Sequence, residues 1–179
     1  MALVHSFDPI EDKNAEVLVL GSMPGQASLD ASQYYAHRHN AFWRIIAELL
    51  QFDVTSPYAV RIEALKVARI ALWDVLHSCT RVGSLDSMIQ SDTQIANDFR
   101  TFFSEHPKIT RVFFNGVKAK ACFERHVLGR LDDRAITYVL LPSTSPANAS
   151  LSFAQKLDAW RRIVEQPENV VKTRCRSLA

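Results

Sequence analysis

The chain has 179 residues, of which 47% are hydrophobic and 22% are charged, and its formal net charge is +2. This composition predicts a single domain with a full core over residues 1–179, and so small a charge does not by itself indicate a nucleic-acid partner. No apolar run approaches the roughly 20 residues of a membrane span, and residues 1–12 carry charges where a signal peptide is apolar, so no membrane partner is expected.

Charge and cysteine patterns refine this expectation. Residues 161–179 hold five basic side chains against two acidic ones, and a flexible basic tail is predicted from about residue 168. The cysteines, Cys79, Cys122 and Cys175, are widely spaced and include no Cys-x-x-Cys pair. This pattern indicates free thiols in a reducing, bacterial-type cytoplasm and argues against a zinc or iron–sulfur site, so neither a metal nor another cofactor is expected.

Four short apolar runs predict strands buried on both faces, because they are continuous and partly β-branched. The runs lie at residues 16–22, 69–76, 111–115 and 137–142. Helical patterns lie between and after them, at residues 42–50, 57–67, 95–103 and 153–164. This alternation predicts an α/β fold, a three-layer α/β/α sandwich around a four-stranded, mainly parallel sheet.

Polar residues at the start of the helical patterns are the expected N-caps. Asn40 precedes the first pattern, Asp92 or Thr93 precedes the third, and Ser150 or Ser152 precedes the fourth. The second pattern is weaker and predicts a shorter helix.

Two loops rich in small residues follow two of the predicted strands. The first is Gly21-Ser22-Met23-Pro24-Gly25, and the second spans residues 141–148, Leu-Pro-Ser-Thr-Ser-Pro-Ala-Asn. Small residues let the backbone approach a ligand closely and direct its amide groups at negative charge. Because the carboxyl ends of parallel strands meet at one edge of a sheet, the loops are expected to form the two sides of a ligand cleft.

The block from Gly21 to Trp43 resembles the first motif of the uracil-DNA glycosylase superfamily, and it is most similar to the hypoxanthine-DNA (deoxyinosine) glycosylase branch. The second loop resembles the superfamily's Pro-Ser loop, which presses into DNA. Residues 71–76 and 112–116 stand where the family has strand ends. The resemblance implies a monofunctional DNA glycosylase that removes hypoxanthine, leaves an abasic site and acts as a monomer on DNA containing deaminated bases.

Met23 keeps two alternatives open. Many relatives carry an Asp or Asn at this position, where it places the attacking water, whereas methionine has no useful hydrogen-bonding capacity. Ordinary uracil excision is therefore in doubt. The alternatives are a uracil or mismatch glycosylase with a changed first motif, and a non-catalytic module that binds damaged DNA or nucleotides.

The resemblance moves the water-placing role to Asn40, just before the helix start at Phe42. An amide is a poor general base near neutral pH, but its carbonyl oxygen can orient a water and favour a cationic sugar. The alternative is that Asn40 is only the helix cap, and the two roles are compatible.

Tyr35 is the aromatic residue that stands before the Ala36-His37 pair, as in the superfamily. The resemblance predicts that it stacks on the base pulled out of the helix, a contact worth roughly 1–3 kcal/mol. Packing of Tyr34 or Tyr35 against the core is the alternative.

Two predicted strands end in polar side chains. Asn115 offers an acceptor and two donors, which match the N1–H and O6 of hypoxanthine and would reject adenine, while a turn cap is its alternative role. Met23 and Gly21 complete the predicted base pocket. Asp74 is more simply a capped strand end than a buried carboxylate that serves the site.

Hydroxyl groups in both loops suit phosphate contacts. Ser143, Thr144 and Ser145 are predicted to hold DNA phosphates and fill the space left by the base, with Ser22 and Ser28 as further contacts. A plain turn bounded by prolines is the alternative for the second loop.

Overall fold

A computed structural model describes residues 2–132 and 134–165 of the chain. The predicted basic tail from about residue 168, and with it Cys175, lies outside the described residues. The strands are β1 (Ala2–His5), β2 (Val17–Gly21), β3 (Ile70–Asp74), β4 (Leu76–Arg81), β5 (Ile95–Ala96), β6 (Arg111–Asn115) and β7 (Thr137–Leu141). The α-helices are α1 (Gln26–Ala31), α2 (Phe42–Leu50), α3 (Tyr58–Val67), α4 (Phe99–Glu105), α5 (Val117–His126) and α6 (Phe153–Trp160). None of these helices is long and apolar enough to cross a lipid bilayer.

A four-stranded sheet forms the centre of the molecule, in the order β3-β2-β6-β7. All of its neighbouring strands are parallel, so the predicted sheet is confirmed, and one isolated antiparallel bridge joins Ile10 to Leu72 of β3. Successive side chains alternate between its faces. In β2, Val17 and Val19 join one apolar core, and Leu18 and Leu20 join the other. The apolar runs are continuous because both faces of each strand are covered.

Helices cover both faces of the central sheet, which confirms the predicted three-layer sandwich. On one face, α2, α3 and α6 bury Ile45, Leu65 and Trp160. On the other face, α4 and α5 bury Phe102 and Phe123. Each large apolar side chain buried in this way contributes about 1.5–3 kcal/mol. The two cores hold the strands in register, so the edge at which the strands end is a rigid support for the loops.

The predicted strand over residues 69–76 is wrong in its extent. It divides after Asp74, and the chain then enters a second, antiparallel sheet of order β1-β4-β5. The turn is fixed by two backbone hydrogen bonds, from Val75 N to Gly21 O (2.8 Å) and from Leu76 N to Ser22 O (3.2 Å). The apolar run continues across this division because both sheets bury its side chains.

The predicted helix over residues 95–103 begins later than expected, because its first two residues form β5. Asp98 is the N-cap of α4, and its carboxylate accepts a hydrogen bond from the backbone N–H three residues later (3.1 Å). The predicted caps Asp92 and Thr93 lie in a separate 3-10 turn. Antiparallel pairing of β5 with β4 therefore overrides the local helical pattern.

The other predicted helices are confirmed with small shifts at their ends. Ser152, rather than Ser150, caps α6 and forms a capping box. Asn40 lies one residue before the cap position of α2, yet its Oδ1 accepts the backbone N–H of Phe42 at 3.0 Å. The fourth pattern ends as an α-helix at Trp160 and continues as a 3-10 turn.

Candidate active site

A cavity of about 580 Å³ opens where the strands of the central sheet end. Residues after β2, the last residues of β3 and β6, and the loop after β7 line it together. Its volume is typical of sites that enclose a small ligand. All predicted site residues line this one cavity: Gly21, Ser22, Met23, Ser28, Tyr35, Asn40, Asn115, Ser143, Thr144 and Ser145.

Gly21 forms the floor of the cavity beside Asp74, with which it is paired in the sheet. A Cβ atom on Gly21 would lie 2.3 Å from Asp74 Oδ1 and 2.9 Å from the hydroxyl oxygen of Tyr35. Both distances are too short for any side chain larger than hydrogen. Glycine therefore allows the carboxyl group and the phenol to converge at this point.

Tyr34 and Tyr35 both line the cavity, and Tyr35 is the less buried of the two. The Tyr35 ring stacks on Phe42 with centroids 4.1 Å apart and planes 24° from parallel. Its φ of +54° is in the left-handed region, which costs a non-glycine residue on the order of 1 kcal/mol and so indicates an imposed position. Burial, and then the charge of Asp74, raises the pKa of Tyr35 far above its usual range, so the hydroxyl stays protonated.

Tyr34 belongs to the core. It is 3% exposed, and its hydroxyl donates to the backbone oxygens of Phe7 (3.4 Å) and Asp8 (3.2 Å). Its own backbone oxygen accepts the indole N–H of Trp43 at 2.7 Å. These contacts hold the segment between α1 and α2 against α2 and fix the position of the adjacent Tyr35.

Asn40 lies half-buried at the side of the cavity. Its Oδ1 accepts the Phe42 N–H, which leaves one carbonyl lone pair and the amide N–H groups for a ligand or a water. Its backbone N–H donates to His37 O at 2.8 Å. The hydrogen bond from the Phe42 N–H therefore holds the Asn40 amide in place and leaves part of its hydrogen-bonding capacity unused.

Asn115 and Thr144 form a paired contact across the cavity floor. Asn115 Nδ2 donates to Thr144 Oγ1 (2.9 Å), and Asn115 Oδ1 accepts the Thr144 backbone N–H (2.8 Å). Thr144 is 1% exposed, and its backbone oxygen accepts the N–H of Ala41 (3.0 Å). Thr144 thus joins the second loop to β6 and to the start of α2.

The loop serines also bond within the protein. Ser22 Oγ donates to Asp86 Oδ1 (2.7 Å), and Ser28 Oγ accepts the Ala36 N–H (3.2 Å). In the second loop, the hydroxyl oxygens of Ser143 and Ser145 each accept the backbone N–H two residues later (3.2 Å in both cases). An accepting hydroxyl keeps its own O–H, so these two serines retain a donor for a ligand.

Two carboxyl groups, those of Asp74 and Asp86, line the cavity, and the guanidinium of Arg81 lies behind them. Burial, and then the charge of Asp86, raises the pKa of Asp74 to about 8, while Arg81 acts in the opposite direction. Burial likewise raises the pKa of Asp86, opposed by the Ser22 hydrogen bond and by Arg81. Arg81 is 2% exposed and donates to Pro24 O at 2.5 Å. Negative charge is thus disfavoured at the base of the cavity.

The chain matches the family model described as the uracil DNA glycosylase superfamily over residues 7–164. This span contains both loops and every residue that lines the cavity. The chain belongs to the uracil-DNA glycosylase superfamily.

Individual relatives agree with this membership. A protein named hypoxanthine DNA glycosylase from Methanosarcina barkeri is 41% identical over 116 residues, which are 64% of this chain and 72% of that protein. A second protein of that name, from Methanosarcina acetivorans, is 36% identical over 149 residues, or 83% and 90% of the two chains. The NMR structure of a candidate uracil DNA glycosylase from Methanosarcina acetivorans has a TM-score of 0.74 at 31% identity, covering 92% of this chain and all of that one (100%).

Within this superfamily fold, Met23 contributes an apolar wall. It is 6% exposed and belongs to the core on the α4–α5 side of the sheet while lining the cavity. In the described part of the chain, no group of three or more His, Cys, Asp or Glu side chains is placed to hold a metal ion.

Sequence reasoning missed Asp86 and gave Asp74 the simpler role of a strand end. Asp86 stands in an irregular segment after β4, and no pattern there indicates that it turns back to Ser22. For Asp74 a signal was present, since a carboxylate that directly ends a two-sided apolar run must lie at the buried edge of the sheet.

Proposed function

We propose that the protein is a monofunctional DNA glycosylase that hydrolyses the N-glycosidic bond of deoxyinosine in DNA, releases hypoxanthine and leaves an abasic site. The observation that carries the proposal is the convergence of the Tyr35 ring, the Asn40 amide and the Asn115 amide in one cavity between two small-residue loops. The two relatives named hypoxanthine DNA glycosylase support the choice of base.

The base enters the cavity after leaving the DNA stack and lies against the Tyr35 ring. Phe42 covers one face of that ring, which makes it a firm support. Beyond its two bonds to Thr144, the Asn115 amide has one N–H donor and one lone pair, and the Tyr35 hydroxyl is the protein group that neighbours them. These match the O6 and N1–H of hypoxanthine, and adenine presents the reverse polarity, so its hydrogen bonds would be left unmatched.

Hydrolysis needs a placed water and stabilisation of a cationic sugar, but no strong nucleophile. The free lone pair of Asn40 Oδ1 orients the water at the anomeric carbon, and the amide dipole favours the positive charge that develops there. The described lining of the cavity contains no lysine, so an amine is not supplied for a lyase step. The reaction therefore ends at the abasic site.

DNA binds across the two loops as a single-chain, monomeric complex. The free O–H groups of Ser143 and Ser145 are donors for phosphate oxygens. Ser22 donates its O–H to Asp86, whereas the hydroxyl oxygens of Ser28 and Thr144 accept hydrogen bonds inside the protein and keep their own O–H as a donor. Helix α6 also stabilises the second loop, because Nζ of Lys156 donates to Asn148 O at 2.7 Å.

The test is single-turnover excision on matched oligonucleotides that carry inosine, uracil or xanthine, single- and double-stranded, with alkali cleavage as the readout. We expect cleavage at inosine to be the fastest. Efficient uracil release with little action on inosine would instead favour the uracil alternative, because Asn115 matches the N3–H and O4 of uracil equally well. Binding of lesion DNA without cleavage of any substrate would mean a recognition module.

Replacing Tyr35 by alanine is expected to lower inosine excision about tenfold to a hundredfold, because a base–aromatic contact is worth roughly 1–3 kcal/mol. Tyr35→Phe keeps the ring on Phe42 and removes only the buried hydroxyl, so its rate should lie between those of Tyr35→Ala and the wild type. Rates are measured at saturating enzyme, with thermal unfolding in parallel. If Tyr35→Ala instead abolished the cooperative unfolding transition, the ring would be a core element rather than a base support.

A further inference from the structure

Asp74 is a buried polar side chain of the cavity for which the mechanism above has no role. It ends β3 on the floor, is 3% exposed, and lines the cavity. Its Oδ2 atom is fully buried and has no hydrogen-bond partner among the described residues, and Nε and Nη1 of the neighbouring Arg81 are also unpaired. The hydroxyl of Tyr35 makes no well-formed hydrogen bond either, and the Asn115 side chain is its hydrogen-bonding neighbour. Buried polar groups are nearly always paired in folded proteins, so an unpaired carboxyl oxygen beside the cavity indicates a ligand that completes it.

The two groups face the same space. The other carboxyl oxygen of Asp74 and the Tyr35 hydroxyl oxygen lie 2.3 Å and 2.9 Å from the point where a Cβ on Gly21 would be. Since Gly21 has no side chain, these two oxygens converge at the Gly21 position, beside the cavity that all three residues line. A base stacked on the Tyr35 ring therefore brings its edge towards the end of β3.

Burial, and then the charge of Asp86, keeps the carboxyl group of Asp74 protonated near neutral pH by raising its pKa. Asp86 follows β4 and disfavours a second negative charge, whereas Arg81 at the end of β4 favours it. Tyr34 and Tyr35, which lie between α1 and α2, are themselves neutral, because burial and the charge of Asp74 raise the pKa of each. Burial dominates this balance, and the pKa of Asp74 rises to about 8.

We propose that Asp74 is a further catalytic residue, a carboxylic acid that gives its proton to the hypoxanthine ring as the N-glycosidic bond breaks. This inference rests on the proposed glycosylase function. The bond from the anomeric carbon to the base breaks, and its electron pair stays on the base. The proton of Asp74 neutralises the departing base, the water adds its oxygen to the anomeric carbon and releases its own proton, and solvent then reprotonates Asp74.

The deciding variant is Asp74→Asn, which has the same shape and an N–H donor but no transferable proton. Single-turnover rates on inosine DNA are measured from about pH 6 to about pH 9.5, with Asp92→Asn, an exposed aspartate away from the cavity, as the matched control. We expect the wild-type rate to fall as pH rises above about 8, and the variant to be at least tenfold slower at neutral pH with that fall reduced. The N1–H of inosine also ionises at alkaline pH, so the comparison between variants carries the result.

Two further measurements separate chemistry from structure. Binding of DNA that carries 2′-fluoro-deoxyinosine, which resists cleavage, should change less than about threefold in Asp74→Asn if the residue acts on the chemical step. The folded pKa of Asp74 lies above its unfolded value of 3.8, so the wild type should lose stability as pH rises from about 4 to about 8. Asp74→Asn should unfold at an equal or higher temperature than the wild type at pH 8.

These experiments distinguish a failure of the acid role of Asp74 from a failure of the proposed glycosylase function. If the wild type does not cleave inosine DNA, the glycosylase proposal fails first. If the wild type cleaves it and Asp74→Asn matches it in rate and pH profile, the acid role of Asp74 is wrong and the function stands. A loss in Asp74→Asn that comes entirely from weaker binding of the fluorinated substrate would also overturn the acid role.

Discussion

Replacing Asn40 by alanine is expected to lower single-turnover excision of hypoxanthine by about 10²–10³-fold, the usual loss when one fixed dipole at the reacting centre is removed. The Oδ1 atom of Asn40 is held by the Phe42 N–H at 3.0 Å, and the residue lines the cavity. Alanine removes the acceptor that orients the water. The measurement is the rate constant on inosine DNA at saturating enzyme.

The matched variant is Asn40→Asp, because aspartate is as good as asparagine at capping a helix start. Asn40→Ala should lose about 1 kcal/mol of unfolding free energy with the cap, and Asn40→Asp should lose little. A carboxylate also orients a water and stabilises a cationic sugar, so Asn40→Asp should stay within about tenfold of the wild-type rate. If Asn40→Ala lost stability but kept its rate, the residue would be a helix cap and nothing more.

The central sheet was predictable from the sequence because its strands are buried on both faces. Such strands carry continuous apolar runs, and Val17–Gly21 is covered by a core on each side. The placement of both loops at one edge follows from parallel pairing, which needs no further sequence signal. For the same reason, the predicted site residues could be gathered from positions more than a hundred residues apart.

The second sheet was not predictable in the same way. β4 mixes polar and apolar residues. It pairs with β1, which joins Ala2–His5 to Ser78–Arg81 although β2, β3 and three helices lie between them in the chain. No local pattern encodes that partner. The helical periodicity at Ile95 is outweighed by antiparallel pairing with β4, which is a tertiary contact.

Hydrogen bonds inside the site were equally hidden. Residue types placed Thr144 and Asn115 near a ligand, but only the folded chain shows that they bond to each other at 2.8–2.9 Å. The same holds for Asp74, whose importance depends on its register opposite Gly21. Composition indicates which groups can do chemistry, whereas the sheet register decides which of them remain unpaired.

Thr144 ties the second loop to the start of α2 and to the end of β6. Its backbone oxygen accepts the Ala41 N–H, its backbone N–H donates to Asn115, and its hydroxyl accepts from Asn115. The start of α2, which carries Asn40, is therefore tied through Thr144 to the end of β6. A loss at Asn115 can act on the base directly or on the position of the second loop, and the two effects need separate variants.

Asn115→Ala is expected to lower inosine excision by about 10²–10³-fold, because it removes both the edge that recognises the base and the support of the second loop. Thr144→Val keeps the side-chain volume and the backbone N–H bond to Asn115 Oδ1 but removes the hydroxyl bond of 2.9 Å. It tests the loop support alone. We expect it to cost about 1–3 kcal/mol of unfolding free energy, since Asn115 Nδ2 loses a buried partner.

If Asn115 recognises the base, the excision loss in Asn115→Ala should exceed that in Thr144→Val by at least about tenfold when both are measured well below their unfolding temperatures. The double variant should then be no slower than Asn115→Ala, because the hydroxyl has lost its partner already. Equal excision losses in the two single variants would mean that Asn115 acts only through Thr144. Base recognition would in that case fall to the other polar groups of the floor, the Tyr35 hydroxyl and Asp74.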